Sequence, residues 1–158
     1  MSQSLTEILG IEHPVIMAPM FLVTNTKMMI AAGNSGISPA VPALNYRTDE
    51  EFRAAIKEVK EGTSAPIGVN LIVNKSNPKM PAQLQSCVEL GVSYIITSLG
   101  SPESVIKACK PHGIKVFCDV VDLQYAKKVE ELGADAVIAV NSIAGGHSGG
   151  MKPEELLP

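Results

Sequence analysis

A single histidine lies among four glycines in segment 144–150, which reads Ala-Gly-Gly-His-Ser-Gly-Gly. Glycines leave the main chain open to close approach by a flat or bulky ligand, and an imidazole titrates near neutral pH. This combination predicts a ligand-binding loop in which one titratable group, His147, faces the bound molecule. The alternative interpretation is a flexible glycine turn with a solvated histidine.

Two other polar side chains lie in or directly after apolar runs, where they could contact a ligand. Asn70 lies in the run 66–71, and its amide can donate and accept hydrogen bonds at once, as the edge of a heterocycle requires. Asp119 follows the run 114–118 and could act as a general base or accept a hydrogen bond from a ligand hydroxyl. The alternatives are an Asx turn at Asn70 and a helix cap at Asp119, although Asp122 is better placed to cap the next helix.

The elements that must position these residues repeat along the chain. A short apolar run is followed by a polar, Gly or Pro break, an amphipathic stretch of helical period and the next apolar run, which is typical of parallel βα units. The six predicted strands are 15–18, 36–41, 66–71, 92–97, 114–118 and 136–140. Aromatic residues are only 4% of the chain, which suits strands buried on both faces.

Helix boundaries between the runs have recognisable signals. Thr48 and Glu51 have the spacing of a capping box, Pro102 is predicted to occupy a first helical position, and Asp122 can cap the helix after the fifth run. The glycines predicted to end helices in left-handed turns are Gly33, Gly62, Gly91, Gly113 and Gly133. Because the local signals agree with the repeating pattern, we predict a fold of the α/β class.

Consecutive βα units form either a doubly wound open sheet or a closed barrel. No GxGxxG motif or P-loop follows the first run, and the steady spacing of the units favours a TIM (β/α)8 barrel. Because such a barrel needs ~8 units, residues 1–158 are predicted to form one partial barrel domain whose C-terminal units are missing. Residues at the strand ends should then meet at one rim; besides those named above, they are Pro19, Met20, Asn74, Thr97, Ser98, Gly100, Asn141 and Ser142.

Composition narrows the classes of function. With 46% hydrophobic and 18% charged residues and a net charge of −3, the chain is predicted to be globular and to lack a basic patch for nucleic acid or anionic lipid. No basic and apolar leader opens the sequence and no apolar run approaches ~20 residues, so we predict a cytoplasmic protein. The absence of HExxH and GxSxG motifs disfavours a metal site and a serine nucleophile. Cys87, Cys109 and Cys118 are predicted to be reduced packing residues.

The whole chain resembles the nitronate monooxygenase family, formerly grouped as 2-nitropropane dioxygenases, which also includes FMN-dependent enoyl reductases. The resemblance rests on segment 14–20 (Pro-Val-Ile-Met-Ala-Pro-Met), on Gly68-Val69-Asn70 and on segment 144–150. The chain departs from many members at Ile143, where they carry an acidic residue.

The resemblance implies FMN as the cofactor, lying across the mouth of the barrel. The residues predicted to bind it are Ala18, Pro19, Met20, Asn70, Asp119, Ala144, Gly145 and Gly146. The catalytic residue is predicted to be His147, facing the substrate above the flavin as a base or as a hydrogen-bond partner of a nitro group. The family holds the FMN phosphate with turns after the seventh and eighth strands, which lie outside this sequence.

The implied reaction is the oxidative denitrification of nitroalkanes or nitronates with O2. An FMN-dependent enoyl-thioester reductase is the alternative within the family, and a catalytically inactive barrel fragment is the alternative of another class. The expected partners are a small-molecule substrate and O2, and no nucleic acid or membrane is expected. A homo-oligomer is compatible with this sequence.

Overall fold

In the computed structural model, which describes residues 3–157, six parallel strands pair in the order β1-β2-β3-β4-β5-β6. The strands are β1 (Ile16–Met17), β2 (Ser38–Pro42), β3 (Gly68–Ile72), β4 (Tyr94–Ser98), β5 (Lys115–Val120) and β6 (Ala136–Ala139). A doubly wound sheet reverses its strand order at a switch point, and no reversal occurs along these six strands. The sheet curls instead into part of an α/β barrel, which confirms the predicted α/β class and its six parallel strands.

Each predicted run overlaps one strand, although all six predicted ranges differ from the observed ones by one or two residues at one or both ends. The predicted strand 15–18 was too long, because β1 pairs with β2 alone and only Ile16 and Met17 are in register with it. The predicted start of the second strand at Gly36 was also wrong. Gly36 has a φ of +79°, which an extended strand cannot continue through, and β2 therefore begins at Ser38.

The helices lie between the strands as the repeating pattern indicates. They are α1 (Leu5–Leu9), α2 (Thr26–Asn34), α3 (Asp49–Gly62), α4 (Met80–Leu90), α5 (Glu103–Cys109), α6 (Leu123–Glu131) and α7 (Pro153–Leu156), with 3-10 turns at Ala43–Asn45 and Lys110–His112. The Thr48 capping box is confirmed, since Thr48 Oγ1 accepts a hydrogen bond from the Glu51 backbone N–H at 3.2 Å. Pro102 directly precedes α5 and does not occupy its first position. No helix in the described part of the chain is long and apolar enough to cross a bilayer.

Two of the five glycines predicted to end helices have a different structural role. Left-handed turns occur as predicted at Gly91, Gly113 and Gly133. Gly33 instead lies inside α2 and Gly62 is the last residue of α3, each without a positive φ. A Cβ atom on Gly33 would lie 2.5 Å from Thr63 Oγ1, and one on Gly62 would lie 2.5 Å from Ile30 Cδ1. Both glycines therefore allow close packing at this helix pair.

The inner face of the curled sheet is filled by aromatic and aliphatic side chains. Its buried members are Ala40, Tyr94, Ile96 and Phe117. Helix α1, which was not predicted, contributes Leu5, Ile8 and Leu9 to the same cluster, and its capping box at Ser4 and Glu7 was the sequence signal for it. The inner core is therefore closed on the side where the strands begin, and the carboxyl ends of the strands form the opposite rim.

The outer face of the sheet packs against the helices in a second and larger cluster. It contains alternate strand residues such as Val69, Ile95 and Val116, together with helix residues such as Phe52 and Val105. The three cysteines are buried and free in this layer, as predicted: Cys87, Cys109 and Cys118. Burial raises the pKa of the Cys109 thiol to about 11, so this thiol stays protonated and unreactive at neutral pH.

Candidate active site

Three polar side chains lie together on the inner face near the carboxyl ends of β3, β4 and β5. Side chains alternate between the two faces along a strand, so residues two positions after the inward Ile96 and Phe117 also point inward. These residues are Ser98, which ends β4, and Asp119 in β5. Asn70 in β3 meets them from the neighbouring strand. The expected rim therefore carries polar groups, but Thr97, which was also predicted to lie there, is buried on the outer face because it alternates with the inward Ile96 and Ser98.

Hydrogen bonds join these three residues in one line across the sheet. The Asn70 amide nitrogen Nδ2 lies 3.1 Å from the Ile96 carbonyl oxygen and 2.7 Å from Ser98 Oγ. Ser98 Oγ in turn lies 2.5 Å from Asp119 Oδ2. We call Asn70, Ser98 and Asp119 the rim relay. The structure thus brings together two predicted ligand-binding residues through a serine that had been recognised only as a strand-end residue.

The alternative interpretations of Asn70 and Asp119 are wrong. The Asn70 side chain bonds across to β4 and forms no Asx turn with its own backbone. The cap of α6 is Asp122, whose Oδ1 accepts a hydrogen bond from the Tyr125 backbone N–H at 2.7 Å. Asp119 is therefore free of any capping role, and its carboxylate points to the rim relay.

The Asp119 carboxyl lies in a partly buried environment that disfavours its charge. Burial raises the pKa of Asp119 above its ordinary value, and the hydrogen bond from Ser98 opposes this effect only in part. Because the folded state holds this proton more tightly than the unfolded state, Asp119 makes the protein less stable as pH rises through the interval between the two pKa values. A carboxylate kept at such a cost is typical of a functional position.

The substitution Asp119→Asn tests this assignment through stability. The amide oxygen can still accept the Ser98 hydrogen bond, but the side chain no longer ionises. We compare the free energies of unfolding of the variant and the wild type by urea denaturation at each pH. As pH rises from about 4 towards 7, the variant should become more stable relative to the wild type, because only the wild type has to ionise a partly buried carboxyl. Glu130→Gln, which removes an exposed carboxylate from α6, is the control and should give a flat difference. A flat difference for Asp119→Asn would show that burial does not perturb this group.

The segment after β1 reaches the rim as a tightly hydrogen-bonded turn. Ala18 and Met20 are exposed and Pro19 is partly buried. The Met20 backbone N–H donates to Thr24 Oγ1 at 2.9 Å, and the Asn45 amide donates to the Thr24 carbonyl at 2.9 Å and to the Met20 carbonyl at 3.3 Å. Backbone atoms of the predicted flavin-contacting segment are therefore held in place from two sides.

Asn45 was missed because the residues after the second strand were passed over as candidates. It lies in the 3-10 turn that directly follows β2, and its Oδ1 also accepts the Leu22 backbone N–H at 2.8 Å. The strand-end criterion that selected Asn70 and Asp119 would have found it as well.

The Gly-rich loop after β6 is organised by Asn141. Its Oδ1 accepts the Ile143 backbone N–H at 3.0 Å, and its carbonyl accepts the backbone N–H groups of Ala144 and Gly149 at 3.2 and 3.1 Å. A Cβ atom on Gly149 would lie 2.1 Å from the Val140 carbonyl oxygen, so the loop folds back onto the strand end only with glycine there. Gly146 has a φ of +80°, in the left-handed region that favours glycine.

His147 is exposed at the tip of this loop, and its ring makes no hydrogen bond to any residue between 3 and 157. Gly145 and Gly146 beside it are also exposed, and a Cβ atom added to either would meet nothing within 4 Å. The predicted loop and the rim relay both follow or end strands at the carboxyl side of the sheet, and no hydrogen bond joins His147 to the relay. Within the described residues, no group of three or more His, Cys, Asp or Glu side chains is arranged to hold a metal ion.

A curled parallel α/β sheet with polar groups and a Gly-rich loop at the carboxyl ends of its strands defines the class of α/β-barrel enzymes. Comparison with models of known protein families identifies the family within this class. The family model described as nitronate monooxygenase matches residues 2–157. The chain belongs to this family of flavin-dependent oxidoreductases.

Individual relatives carry two kinds of name. A (3aS,4S,5R,7aS)-5-hydroxy-7a-methyl-1-oxo-octahydro-1H-indene-4-carboxyl-CoA dehydrogenase of Mycobacterium tuberculosis is 32% identical over 98% of this chain and 42% of its own length. A nitronate monooxygenase of Pseudomonas aeruginosa is 27% identical over 98% of this chain and 54% of its own length. The chain thus spans about half the length of these curated relatives.

Solved structures agree with this fold. The structure of FabK from Thermotoga maritima superimposes with a TM-score of 0.87 and 31% identity, covering 94% of this chain and 47% of that chain. A nitroalkane oxidase from Streptomyces ansochromogenes superimposes with a TM-score of 0.81 at 23% identity, covering 93% of this chain and 51% of that one. At that lower identity the second likeness bears on the fold alone.

Proposed function

We propose that this chain forms the flavin-binding and proton-transferring part of an FMN-dependent nitronate monooxygenase, which oxidises nitroalkanes or nitronates with O2. The observation that carries the proposal is the exposed imidazole of His147 in the Gly-rich loop of a chain that matches this family over residues 2–157. We further propose that the six strands are the first six of an eight-stranded barrel, formed by one domain.

The rim has the chemistry that a flavin requires. A flat, largely apolar ring system fits beside exposed apolar side chains, and Leu22 and Ile143 in the loops after β1 and β6 are 73% and 79% exposed. Leu22 and Leu99 also have positive φ values of 58° and 60°, a strain of about 1–2 kcal/mol each that is typical of functional loops. The residues present therefore fit FMN.

Each predicted residue has a distinct task in this proposal. Backbone atoms would contact the flavin ring at Ala18, Pro19, Met20, Ala144, Gly145 and Gly146, while side chains of Asn70 and Asp119 would accept hydrogen bonds from it. The glycines matter because a bound ring can approach their backbone without meeting a Cβ atom. Bound FMN supplies the acceptor for the two electrons that leave the substrate.

His147 would take the proton. An imidazole nitrogen accepts the proton from the carbon next to a nitro group, because the nitro group stabilises the negative charge that remains and imidazole titrates near neutral pH. The exposed position of His147 leaves one face of the ring open to a small substrate. A preformed nitronate needs no such proton removal, so His147 would then act only as a hydrogen-bond donor to the nitronate oxygens.

A second candidate function is the reduction of an enoyl thioester with NAD(P)H as the hydride donor. The observation that favours it is the 32% identity with a relative named as a carboxyl-CoA dehydrogenase, which exceeds the 27% identity with the nitronate monooxygenase of P. aeruginosa. Oxidation of NADH or NADPH on addition of an enoyl thioester, with no turnover of nitroalkanes or nitronates, would select this function.

The substitution Gly145→Ala tests the flavin site directly. Its Cβ atom would meet nothing within 4 Å, so the protein without ligand should keep its stability. If the flavin lies against this backbone, the methyl group should weaken FMN binding about tenfold, measured by titration of visible absorbance of the purified protein.

Gly150→Ala is the matched control. It adds a methyl group in the same loop with equally open space, but lies outside the predicted flavin contacts, and should bind FMN like the wild type. Equal losses for the two variants would contradict the proposed flavin position. A wild-type protein that leaves the visible absorbance spectrum of added FMN unchanged would support the inactive-fragment alternative.

A further inference from the structure

The direction of the rim relay follows from one atom, the backbone carbonyl oxygen of Ile96. This oxygen only accepts hydrogen bonds, and it lies 3.1 Å from the terminal amide of Asn70. The group of Asn70 that faces it must therefore be the NH2 group, which leaves the Oδ1 atom on the other side. The chemistry of this acceptor therefore fixes the orientation of the Asn70 amide.

The same reasoning extends to Ser98 and Asp119. The second N–H of Asn70 points to Ser98 Oγ at 2.7 Å, so the hydroxyl oxygen accepts there and its hydrogen must point elsewhere. The remaining partner is Asp119 Oδ2 at 2.5 Å, which accepts that hydrogen. Hydrogen bonds thus run in one direction, from Asn70 through Ser98 to Asp119.

This direction leaves two oxygen atoms without a partner from residues 3–157, namely Asn70 Oδ1 and Asp119 Oδ1. Every fully buried side-chain polar atom in the described part of the chain has a hydrogen-bond partner, so these two oxygens are not sealed in the protein. They lie on the inner face of the sheet, towards the carboxyl ends of β3 and β5. Both are acceptors, and one carries the charge of a carboxylate.

We propose that Ser98 is a positioning residue that holds Asn70 and Asp119 as a pair of acceptors for an uncharged, hydrogen-bond-donating part of the ligand. The identity of this ligand part rests on the proposed function. If the ligand is FMN, the donating part is an N–H edge of the flavin ring or the hydroxyl groups of its sugar-like chain. The phosphate end is excluded, because it brings no donors at neutral pH and is repelled by the Asp119 carboxylate.

The relay is tested first without any ligand, by NMR titration of the Asp119 carboxyl carbon. Because the Ser98 hydrogen bond lowers the pKa of Asp119, Ser98→Ala should raise that pKa, and the Asn70 side-chain N–H groups should exchange faster with water. Ser98→Thr keeps a hydroxyl and should restore both properties. Ser101→Ala removes an exposed hydroxyl at the same rim and should change neither. An unchanged titration of Asp119 in Ser98→Ala would overturn the relay.

The ligand is tested by titrating the same variants with FMN and with riboflavin, which lacks the phosphate. Loss of the hydroxyl that accepts from Asn70 and donates to Asp119 should weaken binding about tenfold in Ser98→Ala, by the same factor for both flavins, with recovery in Ser98→Thr. A loss confined to FMN would place the phosphate at the relay and overturn the proposal. A wild-type protein that binds neither flavin overturns the proposed function and this ligand, while the Asp119 titration still decides the role of Ser98.

Discussion

Replacing His147 with asparagine is expected to slow the oxidation of neutral nitroalkanes by about 10²- to 10⁴-fold, the range for loss of a general base. The oxidation of preformed nitronates should change little, because they have already lost the proton. The side chain is exposed and makes no hydrogen bond to residues 3–157, so the substitution should leave the folded structure intact. Initial rates with both substrate forms at pH 7 give the comparison.

His112→Asn is the control for this substitution. His112 is also exposed, but it lies in the 3-10 turn before β5, where the strands begin and not at the rim. Its replacement should leave both rates unchanged. If His147→Asn kept the wild-type rate with neutral nitroalkanes, His147 would not be the base. If it slowed both substrate forms equally, His147 would act in binding rather than in proton removal.

The substitution Gly68→Ala should cause the largest loss of stability, about 3 kcal/mol in the free energy of unfolding. A Cβ atom at this position would lie 2.2 Å from Cζ and 2.6 Å from the hydroxyl oxygen of Tyr94. The Tyr94 ring cannot move aside easily, because it is fully buried, stacks on Phe117 with 5.0 Å between ring centroids and has its hydroxyl hydrogen-bonded to Ser38 Oγ at 2.8 Å. Urea denaturation gives the measurement.

Gly145→Ala serves as the stability control, since it adds the same methyl group in open space. Its urea midpoint should equal that of the wild type. The second substitution Tyr94→Leu should reduce the effect of Gly68→Ala, because a smaller side chain leaves room for the methyl group, and the two changes should not be additive. A Gly68→Ala variant as stable as the wild type would show that the inner core adapts without cost.

The contact between Gly68 and Tyr94 also explains part of one segment on which the family resemblance rests. Within Gly68-Val69-Asn70, the first residue makes room for the Tyr94 ring of the neighbouring strand, the second packs in the outer core and the third joins the rim relay. The resemblance rests on the segment as a whole. It could not separate a packing residue from one that joins the rim relay, because that difference depends on what lies across the sheet.

Predictions from local patterns succeeded where the physical cause is local. Strands buried on both faces need continuous apolar runs, and each of the six runs overlaps a strand. The caps at Thr48 and Asp122 were found because a capping side chain bonds to a backbone group three residues away. The predictions for Gly33 and Gly62 were wrong because a glycine can be needed either for a positive φ or for a close contact. At these two positions the close contact is made by another segment of the chain, which local sequence does not show.

What the sequence by itself determined is the α/β class, the six strands and the presence of His147 in a loop open to ligands. Only the tertiary structure decided that Asn70, Ser98 and Asp119 lie in one hydrogen-bonded line. These residues are up to 49 positions apart in the chain, and they meet because the register of β3, β4 and β5 brings their inner faces into line. Register is set by the packing of the whole curled sheet, so no single segment contains it.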